Sequence, residues 1–224
     1  VNSEFDRQLA INKKIAPGNK IVKIYNGVDA DNMEFLDTEE ARKEFGFGEE
    51  PVVVSAGRFV PWKGFYEVMK AFEHVRKELP NARLVLAGEG PERGALIERA
   101  QDPSIQFPGA LPREKLLTLL RAADVFVLNT RYEGFSHQII EAFAVGIPVV
   151  TTDIPGNAEL AEDEKTALVI AWNDEAKIAE AMLRILSDKD LAQRIMEGAR
   201  VRAKEFTPER SFGETCAALD ISLS

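Results

Sequence analysis

Short apolar runs alternate with longer amphipathic runs through most of the chain. The short runs are nearly continuous and rich in Val, Ile and Leu, which is typical of strands that are buried on both faces of a parallel sheet. They predict six strands, at residues 52–56, 83–87, 105–107, 125–128, 148–151 and 167–170.

The intervening runs carry apolar residues at three- and four-residue spacing, as at Val68, Phe72 and Val75, which is the core-facing stripe of a helix. They predict helices at residues 64–79, 91–100, 112–122, 136–145, 173–187, 190–205 and 207–219. Repeated strand–helix units indicate an α/β fold with a doubly wound, mostly parallel sheet of Rossmann-like topology. One more strand is expected at residues 20–25, before the turn signal Asn26-Gly27.

The composition excludes several classes of function. The chain has 37 acidic and 28 basic residues among 224, for a net charge of −9, which argues against duplex DNA and against broad attraction to an anionic membrane. One cysteine, Cys216, and two histidines, His74 and His137, give neither a disulfide framework nor a Cys- or His-based metal cluster. No apolar run reaches the roughly 18–20 residues of a membrane helix, and we expect a reducing, cytoplasmic location.

The loop after the first predicted strand combines glycines with cations. Gly57 permits a sharp turn, Arg58 and Lys63 follow, and Gly64 opens a helix. Helix N-termini attract anions, and Arg and Lys bind phosphate. The loop is therefore a candidate phosphate site, although two surface cations on a turn would give the same pattern. It is not a Walker A motif, because no Gly-Lys-Ser/Thr follows at the required spacing.

The loop after the second predicted strand is rich in glycine. It begins Gly88-Glu89-Gly90 and resembles a dinucleotide-binding fingerprint, but the third glycine stands at 94 instead of 93. No ribose-binding acid follows the next strand, which argues against a nicotinamide enzyme. Two interpretations remain: the loop is a tight turn, or its backbone borders a bound nucleotide.

The loop after the fourth predicted strand carries two glutamates. Glu133 lies just before a helix, and the amides of Gly134, Phe135 and Ser136 fall at the helix N-terminus, where they can bind a phosphate or a hydroxyl. Past its first turn this helix has Glu141 as its one polar side chain, so Glu141 should be buried and should need a partner. Sugar hydroxyls or a nearby cation would serve. The alternatives are a solvated loop acid at Glu133 and a structural acid, paired with an Arg, at Glu141.

Together these segments resemble the C-terminal domain of GT-B-fold glycosyltransferases, specifically the retaining family 4. The resemblance covers nearly the whole chain, and its specificity comes from the ordered set and not from any one motif. The matching stretches are residues 24–29, Gly57-Arg58 with Lys63-Gly64, residues 88–91, residues 107–111, Glu133 with Glu141, and residues 146–150 with Gly156.

The resemblance implies a role for each matched residue. Arg58 and Lys63 would bind the donor diphosphate, Glu141 would hold the ribose hydroxyls, Leu111 would meet the nucleobase through its backbone, and Glu133 would contact the donor sugar. No metal or other cofactor is implied, since the nucleotide sugar is a substrate. The candidate catalytic residues are Arg58, Lys63 and Glu133, and the candidate donor-binding residues are Gly57, Gly88, Leu111, Gly134, Phe135, Ser136 and Glu141.

The resemblance also implies a division of the chain. Residues 1–17 would be the tail of a missing N-terminal acceptor domain, residues 18–205 the nucleotide-sugar-binding domain, and residues 206–224 a C-terminal crossing helix. The start at Val1 and not at a methionine fits an excerpt from a longer protein. We therefore expect a donor-binding half that is inactive alone. The full-length protein would be cytoplasmic or peripheral at the inner membrane face.

The function implied by the resemblance is retaining transfer of a sugar from a UDP-, GDP- or ADP-sugar to an acceptor, in polysaccharide or glycolipid biosynthesis. A sugar or lipid-linked acceptor would bind through the missing domain. Two other classes stay open: a non-catalytic nucleotide-sugar-binding module, and a nucleotide-sugar epimerase of the same fold.

Overall fold

The computed structural model describes residues 1–29 and 36–219. Its strands form one parallel sheet in the order β3-β2-β1-β4-β5-β6, which is the Rossmann-like order. The predicted doubly wound α/β sheet is therefore confirmed. The strands are β1 (Val52–Ala56), β2 (Arg83–Ala87), β3 (Ile105–Gly109), β4 (Val125–Leu128), β5 (Val149–Thr152) and β6 (Leu168–Ile170).

The helices in the described part of the chain cover both faces of this sheet. All seven predicted helices are present within about two residues of the expected bounds. The α-helices are α1 (Glu4–Asn12), α2 (Thr38–Glu44), α3 (Phe65–Glu78), α4 (Arg93–Arg99), α5 (Arg113–Ala122), α6 (His137–Val145), α7 (Pro155–Ala158), α8 (Glu175–Ser187), α9 (Lys189–Ala203) and α10 (Pro208–Ala218).

Three helices, α1, α2 and α7, were not expected from the sequence. Each of the first two buries a single alanine, Ala10 in α1 and Ala41 in α2, so neither carries the apolar stripe that marks a helix. They are instead signalled by their caps, because Ser3 accepts from the Asp6 amide and Asp37 accepts from the Glu40 amide. The last five residues of the expected 206–224 segment lie outside the described residues.

The prediction of a strand at residues 20–25 is wrong. Gly18–Lys20 is a short 3₁₀ helix, and the residues after it run without pairing to the sheet. The Ile24 amide donates to the Val1 carbonyl at 2.9 Å, and the Val28 amide donates to the Phe206 carbonyl at 2.8 Å. The segment is extended because it crosses from α1 to the start of α10, and an apolar, β-branched composition alone cannot distinguish that path from a strand.

Alternation along the strands divides the core into two layers. Val52 and Val54 of β1 pack with α5 and α6 on one face, while Val53 packs with α3 and α8 on the other. The residues of β1, β2, β4 and β5 are almost wholly buried on both faces, as the continuous apolar runs predicted, whereas the outer strand β3 is only partly buried. Among the described residues, no helix combines the length and the apolarity needed to cross a bilayer.

The position of β1 sets where a ligand can bind. It pairs with β2 on one side and with β4 on the other. Strands β2 and β3 are therefore added on one side of β1, and strands β4 to β6 on the other. In open α/β sheets, the crevice at the carboxyl ends of the strands at such a switch point is the usual ligand site. The loops that follow β1 and β4 meet there.

Candidate functional site

The loops after β1 and β4 are joined by backbone and side-chain hydrogen bonds. The Arg131 amide donates to the Trp62 carbonyl at 2.8 Å, and Asn129 Nδ2 donates to the Gly64 carbonyl at 3.1 Å. Asn129 is 1% exposed, so this contact is shielded from water and holds the two loops in one arrangement.

Lys63 and Glu133 form an ion pair across these two loops. Lys63 Nζ lies 2.5 Å from Glu133 Oε2, and the two side chains are 13% and 23% exposed. The structure thus brings together two of the three candidate catalytic residues, which are 70 positions apart in the chain. Arg58 is exposed and makes no hydrogen bond or ion pair with any residue that the structure describes.

In the segment before α6, the side chains of Phe135 and Ser136 are buried in the protein. Ser136 is the N-cap of α6 and accepts from the Ile139 amide at 3.4 Å. Phe135 is buried and stacks on Tyr25, with 5.0 Å between the ring centroids. The Phe135 side chain is therefore part of the core and is not available to a ligand. A Cβ at Gly134 would lie 2.8 Å from an Asp6 carboxylate oxygen, so a larger residue here would require the Asp6 side chain to move.

Glu159 ties this segment to α1. Its carboxylate accepts from the Glu4 amide at 3.0 Å, from the Phe5 amide at 3.1 Å and from the Tyr25 hydroxyl at 2.9 Å. Lys23 Nζ donates to the same Tyr25 hydroxyl at 2.8 Å, and this hydrogen bond raises the pKa of Lys23 above its ordinary value. Because Tyr25 also stacks on Phe135, the network fixes the backbone that leads into α6.

Glu141 is buried on α6, as the sequence predicted, and it has a cationic partner. Arg113 Nε donates to Glu141 Oε1 at 2.6 Å, and the two side chains are 56% and 11% exposed. The expectation that Glu141 needs a partner is confirmed. Since the partner is an Arg, this contact alone supports the structural interpretation of Glu141 as much as the functional one.

A cavity of about 300 Å³ opens at the carboxyl ends of β1, β2 and β3. Four of the candidate residues line it and come from three separate loops. Lys63, Glu133 and Glu141 are not part of its wall. The lining residues are Ala56, Gly57, Arg58, Ala87, Gly88, Glu89, Ala110, Leu111, Leu116 and Gln138.

Glycines at the strand ends allow the floor of this cavity to form. The Gly57 amide donates to the Ala87 carbonyl at 2.9 Å, and the Gly88 amide donates to the Gly109 carbonyl at 2.8 Å. Gly88 has φ +150°, and a Cβ there would lie 1.8 Å from the Gly57 carbonyl oxygen. No side chain can occupy this position without moving the backbone of β1 or β2.

A larger cavity of about 680 Å³ lies at the opposite edge, beside the amino ends of β1, β4 and β5. None of the candidate residues lines it. Its cations serve the fold: Arg121 Nη1 donates to the Val145 carbonyl at the end of α6 at 3.4 Å, and the Arg200 guanidinium packs against Gly146. Cations at a helix C-terminus offset the carbonyls that the helix leaves without partners.

Residues 37–202 match the family model described as glycosyl transferases group 1. The chain belongs to this family. The match spans all six strands, both glutamates and the loop after β1. The group 1 glycosyltransferase fold was expected from the ordered motifs, and the expectation is confirmed.

Two relatives from Mycobacterium tuberculosis show how much of a group 1 glycosyltransferase the chain represents. A glycogen synthase is 34% identical over 187 residues, which cover 82% of this chain and 44% of that protein. A GDP-mannose-dependent alpha-(1-6)-phosphatidylinositol monomannoside mannosyltransferase is 31% identical over 179 residues, which cover 74% and 46%. The chain thus spans about half the length of the curated relatives it matches.

Solved structures of glycosyltransferases share the fold. HepE of Anabaena, in complex with UDP and glucose, aligns with a TM-score of 0.87 at 21% identity over 100% of this chain and 62% of that one. The C-terminal domain of the group 1 glycosyltransferase LpcC from Francisella tularensis aligns with a TM-score of 0.72 at 21% identity over 80% and 97%. At this identity the likeness concerns the fold, which is the GT-B type that the sequence predicted.

Three side chains at the candidate site were not predicted from the sequence. Asn129 had the signal of a polar residue at a buried strand end. Gln138 had the signal of a polar residue on the first turn of an apolar helix, and it lines the cavity beside Gly57. Arg113 had no local signal, because a charged residue at the start of an amphipathic helix is ordinary.

Proposed function

We propose that this chain is the donor-binding half of a retaining glycosyltransferase of family 4 that uses a nucleoside diphosphate sugar. One observation carries the proposal: the Lys63–Glu133 pair lies between the loops after β1 and β4, at the switch point of a group 1 glycosyltransferase fold. The names of the relatives and of HepE's ligands support a nucleotide-sugar donor.

The proposed mechanism follows from charge. Breaking the bond between sugar and phosphate puts negative charge on the diphosphate and positive charge on the sugar ring. Arg58, Lys63 and the N-terminus of α6 would stabilise the leaving group, and each well-placed group contributes roughly 3 kcal/mol. The diphosphate would draw Lys63 away from Glu133. The released Glu133 carboxylate would then accept from a donor-sugar hydroxyl and offset the charge of the ring.

The remaining candidate residues would hold the nucleoside. Gly57, Gly88 and the backbone of Leu111 border the 300 Å³ cavity, which is a place for a nucleobase. Glu141 would accept from the ribose hydroxyls. We propose no metal or other cofactor: among residues 1–29 and 36–219, no three His, Cys, Asp or Glu side chains group as a metal site would require. We also propose a cytoplasmic location, with contact to the inner membrane face in the full-length protein.

The test is direct binding. UDP, GDP and ADP and their sugars would be screened against the chain by thermal shift, and the best ligand measured by calorimetry with and without a chelator. We expect saturable binding of one nucleoside diphosphate that the chelator leaves unchanged. Absence of binding across the panel would overturn the donor-site proposal, and loss of binding on chelation would overturn the metal-free part of it.

Product analysis on the full-length protein separates transfer from the alternatives. Transfer of the sugar to an acceptor, with the anomeric configuration kept, supports the proposal. Epimerised donor without transfer would identify an epimerase, and binding without any turnover would identify a non-catalytic module.

Replacing Glu141 with Gln should lower nucleotide affinity about tenfold or more, because a hydrogen bond to a charged group contributes about 1.5–3 kcal/mol. The wild-type chain should bind a 2′,3′-dideoxy nucleotide about as poorly as the variant binds the ribonucleotide. Calorimetry measures both. Normal ribonucleotide binding by Glu141→Gln would mean that Glu141 is a structural partner of Arg113 and nothing more.

The 224-residue chain alone should not transfer sugar. The cleft would be closed on one side only, and positioning of the acceptor and exclusion of water contribute several kcal/mol to such reactions. A donor-consumption assay with a panel of acceptors, run beside the full-length parent, measures this. Transfer at a rate near that of the parent would contradict the need for a second domain.

A further inference from the structure

Arg113 connects two parts of the proposed donor site that are distant in sequence. It is the first residue of α5 and follows Leu111 by two positions, so it comes directly after the loop that follows β3 and borders the cavity. Its Nε reaches across to Glu141 in the middle of α6. One side chain therefore links the segment proposed to meet the nucleobase with the carboxylate proposed to meet the ribose.

The contact uses only part of each group. Arg113 donates through Nε to Glu141 Oε1, and no residue that the structure describes donates to Glu141 Oε2. A carboxylate has two oxygens with about four acceptor sites, so Glu141 keeps capacity for ligand hydroxyls while Arg113 holds it. An Arg that only neutralised a buried acid would more commonly bind it through both oxygens, as in the bidentate pairs that Arg forms with carboxylates.

Glu141 is much more buried than Arg113. Glu141 is 11% exposed on an otherwise apolar part of α6, whereas Arg113 is 56% exposed. An ionised carboxylate at this depth needs a partner, and among the described residues Arg113 supplies its one ion pair. Without that partner, the carboxylate would turn toward water, and this change removes the acceptor geometry that a vicinal diol requires.

We propose that Arg113 is a positioning residue that makes the site selective for a nucleotide with intact ribose hydroxyls. Arg113 acts through Glu141: it holds Oε1 in place, so that both ribose hydroxyls can donate to the same carboxylate. This inference rests on the proposed function, since it assumes that Glu141 meets a ribose. It predicts an effect on the ratio of ribonucleotide to dideoxynucleotide affinity, which loss of a general attraction to diphosphate would leave unchanged.

The test measures that ratio by calorimetry in four chains, with the nucleoside diphosphate that binds best and its 2′,3′-dideoxy form as probes. The chains are wild type, Arg113→Ala, Glu141→Gln and the double variant. We expect Arg113→Ala to lose ribonucleotide affinity about tenfold, to keep dideoxynucleotide affinity, and to have no further effect in the Glu141→Gln background.

Lys115→Ala is the matched control. Lys115 lies two residues further along the first turn of α5, forms a surface ion pair with Glu44, and is outside the cavity wall. The Lys115→Ala substitution removes the same charge from the same turn and should leave the ratio of ribonucleotide to dideoxynucleotide affinity at its wild-type value. Circular dichroism and a thermal melt establish that each variant is folded.

The outcomes separate the inference from the function on which it rests. If wild type binds and Arg113→Ala weakens both probes equally, Arg113 acts as a general cation and the inference is overturned. It is also overturned if Arg113→Ala changes neither affinity. If the wild-type chain binds no nucleoside diphosphate at all, the proposed function fails and the inference fails with it.

Discussion

Replacing Arg58 and Lys63 together with Ala should abolish nucleoside diphosphate binding at concentrations that saturate the wild-type chain. Each charged hydrogen bond contributes about 1.5–3 kcal/mol, so the loss of two should weaken binding at least about 100-fold. Lys63 should account for the larger share. Its removal leaves Glu133 without the cation that lies 2.5 Å away, and the free carboxylate would repel a diphosphate. Calorimetry on the single and double variants measures each contribution.

Glu133 offers a way to separate these two effects of Lys63. In Lys63→Ala with Glu133→Gln, the repulsion is absent and only the lost attraction remains, so affinity should recover in part. Lys70→Ala with Arg184→Ala is the matched control, because these two cations form surface ion pairs away from the cavity wall. It should leave affinity within a factor of two or so, as surface pairs contribute little. An unchanged affinity in Arg58→Ala/Lys63→Ala would refute the donor-site assignment.

Gly88→Ala should be the most damaging single methyl addition in the site. The new Cβ would overlap the Gly57 carbonyl oxygen at 1.8 Å, and φ +150° is a conformation that L-residues rarely adopt. The backbone of β1 or β2 must move, which costs about 3 kcal/mol. For a domain of this size the melting temperature should fall by about 6–12 °C. Nucleotide affinity should fall as well, because the turn that carries Arg58 moves with Gly57.

Gly213→Ala is the control for Gly88→Ala. Gly213 lies inside α10, and nothing lies within 4 Å of the position its Cβ would take. Alanine favours a helix interior over glycine by about 0.5–1 kcal/mol, so this change should raise the melting temperature by a few degrees and leave nucleotide binding alone. A Gly88→Ala variant as stable as wild type would show that the strand ends can separate without cost.

The sheet could be predicted because β1, β2, β4 and β5 are buried on both faces and leave nearly continuous apolar runs. The need of Glu141 for a partner was also predictable, since a lone carboxylate on an apolar helix has no other explanation. Its partner was not, because Arg113 stands 28 residues earlier and meets Glu141 only through the packing of α5 on α6. The Lys63–Glu133 pair depends in the same way on two loops that only the strand order makes neighbours. The strand predicted at residues 20–25 is absent for a related reason: an apolar, β-branched segment can be extended without having a neighbouring strand to pair with.

The central position of β1 has a consequence for hydrogen exchange. β1 pairs on both sides and is covered on both faces, whereas β3 pairs with β2 alone and β6 with β5 alone. Amides of β1 should therefore exchange only when the whole domain unfolds, and amides of the two outer strands should exchange through local opening. The loop at residues 57–64 follows directly from the slowest strand. A nucleotide that binds only the folded domain should slow exchange in β1 by the gain in global stability, and this gives the reference with which any slowing in that loop is compared.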